Sequence, residues 1–206
     1  MLWSQTHRYF DNTVYERLRR LQGLNIIVHG PEGCSKHLYV QKFVDDCIRI
    51  PCDDWKLNTM TINDEKKSEV SLFVRHSRLH SEFCLNEFTS IQKQFVRFVL
   101  KPLVKNLCIS NNGSLCGKLI VVYNVELLPK ASQYELRTLT EKFTDRANFL
   151  FVTSRISEII PTIQSNMICF RVCRPSNTDL LSFIKNVLNI EKETVSTRSI
   201  NQYIES

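Results

Sequence analysis

The chain has 206 residues, 43% of them hydrophobic and 23% charged, with a formal net charge of +6. That length and balance suit one sizeable core, or one core plus a small appendage, and exclude a disordered or fibrous protein. Short apolar runs such as Ile26–Val28 and Leu119–Val122 fall far below the roughly 20 residues that cross a bilayer, and the first residues lack the basic start and apolar stretch of a secretory signal.

Residues 11–23 place Val14, Leu18 and Leu21 on one face with arginines opposite, which predicts an amphipathic helix. A buried strand follows at 24–29, then a glycine-bearing turn, then a helix over 36–49 with Leu38, Val40, Phe43, Val44 and Ile48 on its apolar side. Alternation at 56–62 and 70–76 predicts two strands around a polar turn at 64–67, and a third strand falls near 78–86. Phe88, Ile91, Phe95, Phe98, Val99 and Leu103 recur at helical spacing, so a long core-packed helix covers about 88–107, with Pro102 kinking it or ending it early. Asn111-Asn112-Gly113-Ser114 reads as a surface loop. Strands at 119–123, 148–153 and 167–172 then alternate with helices at 130–143 and 157–160. Pro175 marks a boundary, with helices near 177–188 and 194–204 beyond it. Short apolar strands alternating with helices predict a parallel α/β sheet with helices on both faces and a ligand site at the carboxyl ends of the strands.

The mild positive charge permits a polyanionic partner without demanding one, and the clusters Arg17, Arg19, Arg20 and Lys66, Lys67 read as solvated faces. Eight cysteines (34, 47, 52, 84, 108, 116, 169 and 173) include no Cys-x-x-Cys pair, and the five histidines complete no ligand quartet. The expectation is reduced, mostly buried thiols and no metal, with Cys169 and Cys173 packing at a strand end.

The stretch 25–38 carries the most chemistry. Ile26, Ile27 and Val28 run into Gly30, Pro31, Glu32, Gly33, Cys34, Ser35, Lys36 and His37, the layout of the phosphate-binding loop Gly-x-x-x-x-Gly-Lys-[Ser/Thr]. Gly30 and Lys36 have the right spacing. Ser35 replaces the second glycine, adding a Cβ where backbone amides wrap phosphates, and His37 replaces the magnesium-binding hydroxyl. Lys36 is left to bind a phosphate at a helix N-terminus or, by a slight margin the preferred reading, to be a solvated lysine in a relic turn.

Several segments in order resemble one family, the small subunits of the clamp loader replication factor C, its third subunit above all. Near the start, Leu2, Trp3, Ser4, Gln5, Thr6, His7, Arg8 and Tyr9 are similar to the family's Leu-Trp-x-x-Lys-Tyr-Arg-Pro, keeping its tryptophan and arginine. Gly117 to Val172 resembles the family without gaps. Leu136-Arg137-Thr138-Leu139-Thr140-Glu141-Lys142-Phe143 looks like its Leu-Arg-Arg-Thr-Met-Glu-Lys-Tyr helix, and Ile160-Pro161-Thr162-Ile163-Gln164-Ser165 like its Ile-Pro-x-Ile-x-Ser turn. The resemblance covers about residues 2–190 and is specific mainly in the phosphate loop and in 117–172.

It implies an AAA+ (RecA-like) P-loop domain over 1–172 and the beginning of a helical lid over 173–206, with the family's collar domain lacking. It also implies what the chemistry has lost. The family's magnesium-holding Asp and water-polarising Glu fall on Tyr123 and Asn124, its sensor asparagine on Ser154, and its arginine finger on Asn166. An arginine supplied in trans is worth roughly 10³–10⁵ in rate. Glu126, the one carboxylate close to Tyr123 and Asn124, reads as a surface residue opening a helix. The expectation is a hydrolysis-inactive clamp-loader-like subunit, structural or regulatory, with ATP or ADP bound weakly or not at all. Its implied partners are other replication factor C-type subunits, the sliding clamp and primer–template DNA, with no membrane, and its implied location is the nucleus. The alternatives are a free-standing interaction module on the same scaffold and a weakly ATP-binding P-loop ATPase.

Overall fold

In a computed structural model of the chain, the described residues are 10–48, 56–62, 68–77, 79–87, 92–105 and 118–191. The expected features at Leu2–Tyr9, Phe88, Ile91, the 111–114 loop, the 194–204 helix and three of the cysteines lie outside them.

The elements in order are α1 (Asn12–Arg19), β1 (Ile26–His29), α2 (Lys36–Ile48), β2 (Lys56–Ile62), β3 (Ser68–His76), β4 (His80–Cys84), α3 (Lys101–Lys105), β5 (Lys118–Tyr123), α4 (Lys130–Lys142), β6 (Ala147–Thr153), α5 (Pro161–Asn166), β7 (Ile168–Arg171) and α6 (Asn177–Glu191). The Asp11 side chain caps α1 by accepting from the Thr13 N–H at 2.8 Å. That helix ends earlier than its periodicity suggests, because Gly23, with φ +82°, closes the turn that aims the chain into β1.

Seven strands form one sheet in the order β2-β3-β4-β5-β6-β1-β7. The five from β4 to β7 are mutually parallel, as expected. The opposite edge corrects the all-parallel reading, since β3 runs antiparallel to both β2 and β4. Residues 63–67 and 77–79 are the only links there, and a parallel crossover takes a dozen residues or more.

The long helix expected at 88–107 is also corrected. Its described part is a wide π turn at Val96–Leu100 followed by the short α3, with the Lys101 N–H bonded to the Val96 carbonyl. Pro102 has no N–H to give, and a widened turn just before it accommodates that loss. Phe95, Val96 and Val99 still bury in the core, as the spacing predicts. The helix expected at 157–160 is a 3-10 turn at Ile156–Glu158, and α5 starts only at Pro161. Gln133 explains this: buried on α4, it donates to the carbonyls of Leu128 and Glu158 and accepts the Ile160 N–H at 2.9 Å. Proline then sets the first helical φ of α5.

Alternation on β5 and β6 sends Ile120, Val122, Phe149 and Phe151 to a core under α3, α4 and α5, and Val121, Tyr123, Leu150 and Val152 to a second core under α1 and α2. The cysteine expectation fails in part. Cys34 is buried, but Cys47 on α2 is exposed, as are Cys169 on β7, an edge strand that buries only Phe170, and Cys173 just beyond it. Among the described residues, no helix is long and apolar enough to cross a membrane.

Candidate functional site

The turn from β1 to α2 is fixed by packing at one end and by backbone conformation at the other. A Cβ on Gly30 would lie 2.1 Å from the Val172 carbonyl oxygen, so only glycine fits there. The neighbouring His29 carbonyl accepts the Val172 N–H at 2.8 Å, which holds the two strand ends together. Gly33 (φ +80°) and Ser35 (φ +58°) both take the left-handed conformation. Ser35 therefore keeps a backbone shape suited to the glycine it replaces, at a cost of roughly 1–2 kcal/mol. Its carbonyl accepts the N–H groups of Leu38 and Tyr39, starting α2.

Lys36 is not the solvated side chain that sequence reasoning slightly preferred. It is buried, and its Nζ donates to the carbonyls of Gly30 at 2.8 Å and Pro31 at 2.7 Å. The Cys34 thiol donates to the same Pro31 carbonyl at 2.9 Å. A turn rich in carbonyls around one ammonium explains the burial, since each buried proton needs an acceptor.

Tyr123, at the end of β5, turns its hydroxyl inward. It donates to Glu82 Oε2 at 2.9 Å, and Glu82 is wholly buried on β4. Glu82 Oε1 accepts from Arg75 at 3.0 Å and lies 3.3 Å from His80 Nε2. Arg75, directly across from Glu82 in the β3–β4 register, also reaches Asp45 on α2 at 3.2 Å. Burial, reinforced by the Glu82 carboxylate, holds the Tyr123 phenol protonated well above its ordinary range. Sequence reasoning missed this cluster. Its sequence signal is weak, because β3 (SEVSLFVRH) and β4 (HSEFC) carry other polar residues too, and nothing in that pattern singles out Arg75, His80 and Glu82.

Asn124 follows in the left-handed region (φ 60°, ψ 44°), which asparagine tolerates, and its side chain reaches Cys84 Sγ at 3.6 Å. Glu126 is a correction, because it is buried in the next 3-10 turn and its Oε1 accepts the Ser154 N–H at 3.1 Å. Ser154 follows β6, and its neighbour Thr153 is buried. Asn166 ends α5 on the surface and donates to Glu141, which also accepts from Arg137 at 2.9 Å.

These pieces enclose a cleft of about 840 Å³ at the carboxyl ends of β1, β5 and β6. It brings together Glu32, Gly33, Cys34, Ser35, Lys36, His37, Tyr123, Asn124 and Ser154, as the sequence predicts, and adds Cys84 and Val152, which it did not. Gly30 and Pro31 belong to the turn but, like Asn166, do not line the cleft. The exposed His37 ring stacks on Tyr123, with centroids 5.0 Å apart and planes inclined by 26°. A pocket of this size at strand ends suits a small ligand.

No protein-family model matches the chain. Among curated proteins it is 22% identical over 167 residues to replication factor C subunit 3 of Mus musculus, covering 81% of this chain and 47% of that protein. It is 22% identical over 168 residues to replication factor C subunit 5 of Oryza sativa subsp. japonica, covering 78% and 46%. Against replication factor C subunit 5 of Schizosaccharomyces pombe it is 19% identical over 202 residues, covering 93% and 56%. The chain thus spans about half the length of these relatives. Among solved structures, a Walker-type ATPase of Pyrococcus abyssi superposes with a TM-score of 0.59 at 10% identity, covering all of this chain and 66% of that one. RuvB of Thermotoga maritima gives 0.53 at 11% identity, covering 92% and 51%. The fold is that of the P-loop AAA+ ATPases, a mostly parallel sheet with flanking helices, and the sequence is similar to replication factor C subunits 3 and 5.

Proposed function

We propose that the chain is a clamp-loader-type subunit that acts structurally or in regulation and does not hydrolyse ATP. The first half rests on the similarity to replication factor C subunits 3 and 5 along most of the chain. The second half rests on the end of β5. Phosphoryl transfer needs a metal held against the phosphates and a group that orients the attacking water. Tyr123 spends its hydroxyl on Glu82 in the core, and Asn124 is neutral. Glu32, the one carboxylate lining the cleft among the described residues, sits in the turn and not at a strand end. Asn166, a neutral amide engaged by Glu141, brings no charge to a neighbouring subunit's site.

The partners on this reading are other replication factor C-type subunits, the sliding clamp and primer–template DNA, and the location is the nucleus. Contact with DNA would run through the phosphate backbone and weaken steeply with salt. Mixing the purified protein with clamp-loader subunits is the test. Co-purification with at least one of them supports the reading. A monomer indifferent to every subunit at micromolar concentration replaces it with an independent interaction module. ATP turnover that vanishes on Lys36→Met would overturn the non-hydrolytic half alone.

A further inference from the structure

We propose that Cys34 and Lys36 form a peroxide-driven cross-link, a sulfenamide bond between Sγ and Nζ that ties the turn after β1 to itself.

The two residues flank Ser35, in a turn whose left-handed corners at Gly33 and Ser35 fold the chain tightly. Nζ lies 3.9 Å from Sγ, and both side chains are buried, so the approach is held. They share an acceptor: the Pro31 carbonyl takes the Cys34 thiol at 2.9 Å and Nζ at 2.7 Å, while Nζ also donates to Gly30 at 2.8 Å. An ammonium has three protons to give, so the two carbonyls leave one for the sulfur. Gly30, packed where the Val172 carbonyl leaves no room for a Cβ, keeps the turn in place. Cys34 and Lys36 both line the cleft, and a small oxidant reaches the sulfur from that side although only 4% of the cysteine is exposed. The Lys36 ammonium and the N-terminus of the 13-residue α2 stand beside the sulfur, the electropositive setting of oxidation-prone cysteines. Cys84 and His37 line the same cleft, but among the described residues no three His, Cys, Asp or Glu side chains come together as metal ligands.

The oxidant is hydrogen peroxide. Its O–O bond breaks as it converts the Cys34 thiol to the sulfenic acid, and one water leaves; sulfur loses two electrons and the peroxide oxygens gain them. Nζ, after passing one proton to solvent, attacks the sulfur. The S–N bond forms as the S–O bond breaks, and the departing hydroxide takes a second proton from nitrogen to leave as water. Thiol, ammonium and peroxide thus give S–NH, two waters and one proton. Sulfenic acids condense in this way with thiols and backbone nitrogen, and here the nucleophile held against the sulfur is an amine. The bond removes the Lys36 charge, and two equivalents of a thiol reductant restore both side chains, so the cleft loses or regains a cation with the redox state.

Peptide mapping of the full chain after hydrogen peroxide treatment, with remaining thiols blocked, tests this. Trypsin cuts after Arg20, Lys36 and Lys42, and a bonded Lys36 is no longer cut. The expected product is peptide 21–42, uncut at Lys36 and about 2 Da lighter than its thiol form, which dithiothreitol returns to a peptide that trypsin cuts. Cys84→Ser should keep the product. Cys34→Ala should abolish it, as should Lys36→Arg, which retains a cation and in which Cys34 runs on to the sulfinic acid. Oxidation in urea should lower the yield about tenfold, because the folded turn aligns the pair. Sulfinic acid at Cys34 of the wild type with Lys36 still cleaved would overturn the proposal, as would a Cys34 that stays a thiol while the exposed Cys47, Cys169 and Cys173 are consumed. Loss of the product in Cys84→Ser would also overturn it, making the bond a disulfide across the cleft. The wild type itself carries the readout, so if Lys36→Arg fails to fold, the wild type and Cys84→Ser decide the matter. No clamp-loader subunit enters the experiment, and its failure leaves the proposed function to its own test.

Discussion

On the face covered by α4 and α5, the sheet meets Leu136, Leu139 and Ile163 with Ile120, Val122, Phe149 and Phe151, an apolar layer. On the face covered by α1 and α2, the same strands carry Ile26, Val28, Val121 and Leu150 beside a buried ionic cluster of Arg75, Glu82, His80 and Tyr123. The first face is held by area removed from water, which tolerates exchange of one hydrophobe for another. The second is held partly by complementary charges, where removing one member strands the rest. The cleft opens at the end of the second face, and Tyr123 belongs to both. Tyr123 both lines the cleft and donates a hydrogen bond to a buried carboxylate, so the cleft shares a residue with the cluster that stabilises the sheet.

The sharpest way to break this contrast is Glu82→Leu. It takes the buried carboxylate away from Arg75 and leaves the half-exposed Asp45 as its acidic partner. The expected loss is about 3 kcal/mol or more, read by denaturant unfolding. Tyr123→Phe should cost about 1–2 kcal/mol, since Arg75 and His80 still face Glu82. Equal losses in the two variants would mean that the tyrosine, not the ion pair, organises the cluster. An unchanged Glu82→Leu would make the second face an ordinary apolar layer.

Next in size is Gly30→Ala. With backbone oxygen at 2.1 Å from the added methyl, β1 and β7 have to separate, at a cost on the order of 3 kcal/mol. The result expected is a protein that melts well below wild type and has lost the His29–Val172 bond, visible as faster amide exchange at Val172. A melting point within about two degrees of wild type would show that the strand ends are not locked together.

The fold was legible where local rules agree. Ile26–Val28, Leu119–Tyr123 and Phe149–Thr153 are strands because β-branched and aromatic residues bury on both sides of a parallel sheet, and the turn after β1 was legible from Gly30 and Lys36 alone. Most of the cleft lining followed from that turn and from the ends of β5 and β6. What stayed hidden depends on how the backbone folds back on itself, within the turn for Lys36 and between distant segments for the rest. Lys36 and Glu126 are polar, so a one-dimensional reading leaves them on the surface, yet each is buried by a partner that only the fold supplies: the carbonyls of Gly30 and Pro31 for one, the Ser154 N–H for the other. The pairing of Arg75 with Glu82 needed the register of an antiparallel edge that alternation alone does not give. Cys169 and Cys173 looked like core thiols because their neighbours are apolar, but an edge strand exposes alternate residues.

Ser35→Gly is a smaller change and has the opposite sign. Relieving a left-handed serine returns roughly 1 kcal/mol, reduced by the extra freedom of glycine in the unfolded chain. A small rise in stability is expected, with the cleft geometry unchanged. A loss would mean that the serine side chain stabilises the turn by more than its backbone costs.

The smallest effect is the pH dependence at His29, where the second face meets the cleft. Burial, then the positive charges of Arg171 and Lys36, hold its imidazole below the ordinary 6.5. Arg171 is its direct register partner across the β1–β7 pair. A histidine depressed on folding binds its proton more readily in the unfolded chain, so stability is undiminished above about pH 6.5 and falls as pH drops through that value towards the folded one. The depressed carboxyl of Asp11 acts in a separate window, below its ordinary 3.8. Unfolding of wild type and His29→Asn should therefore differ by a constant amount between pH 8 and 7 and diverge between pH 6.5 and 5, the wild type losing more. Parallel curves down to pH 5 would show that neither burial nor the two cations depress the His29 imidazole on folding. Lys36→Met should flatten the divergence in part, because it removes one of those charges and leaves burial and Arg171 in place.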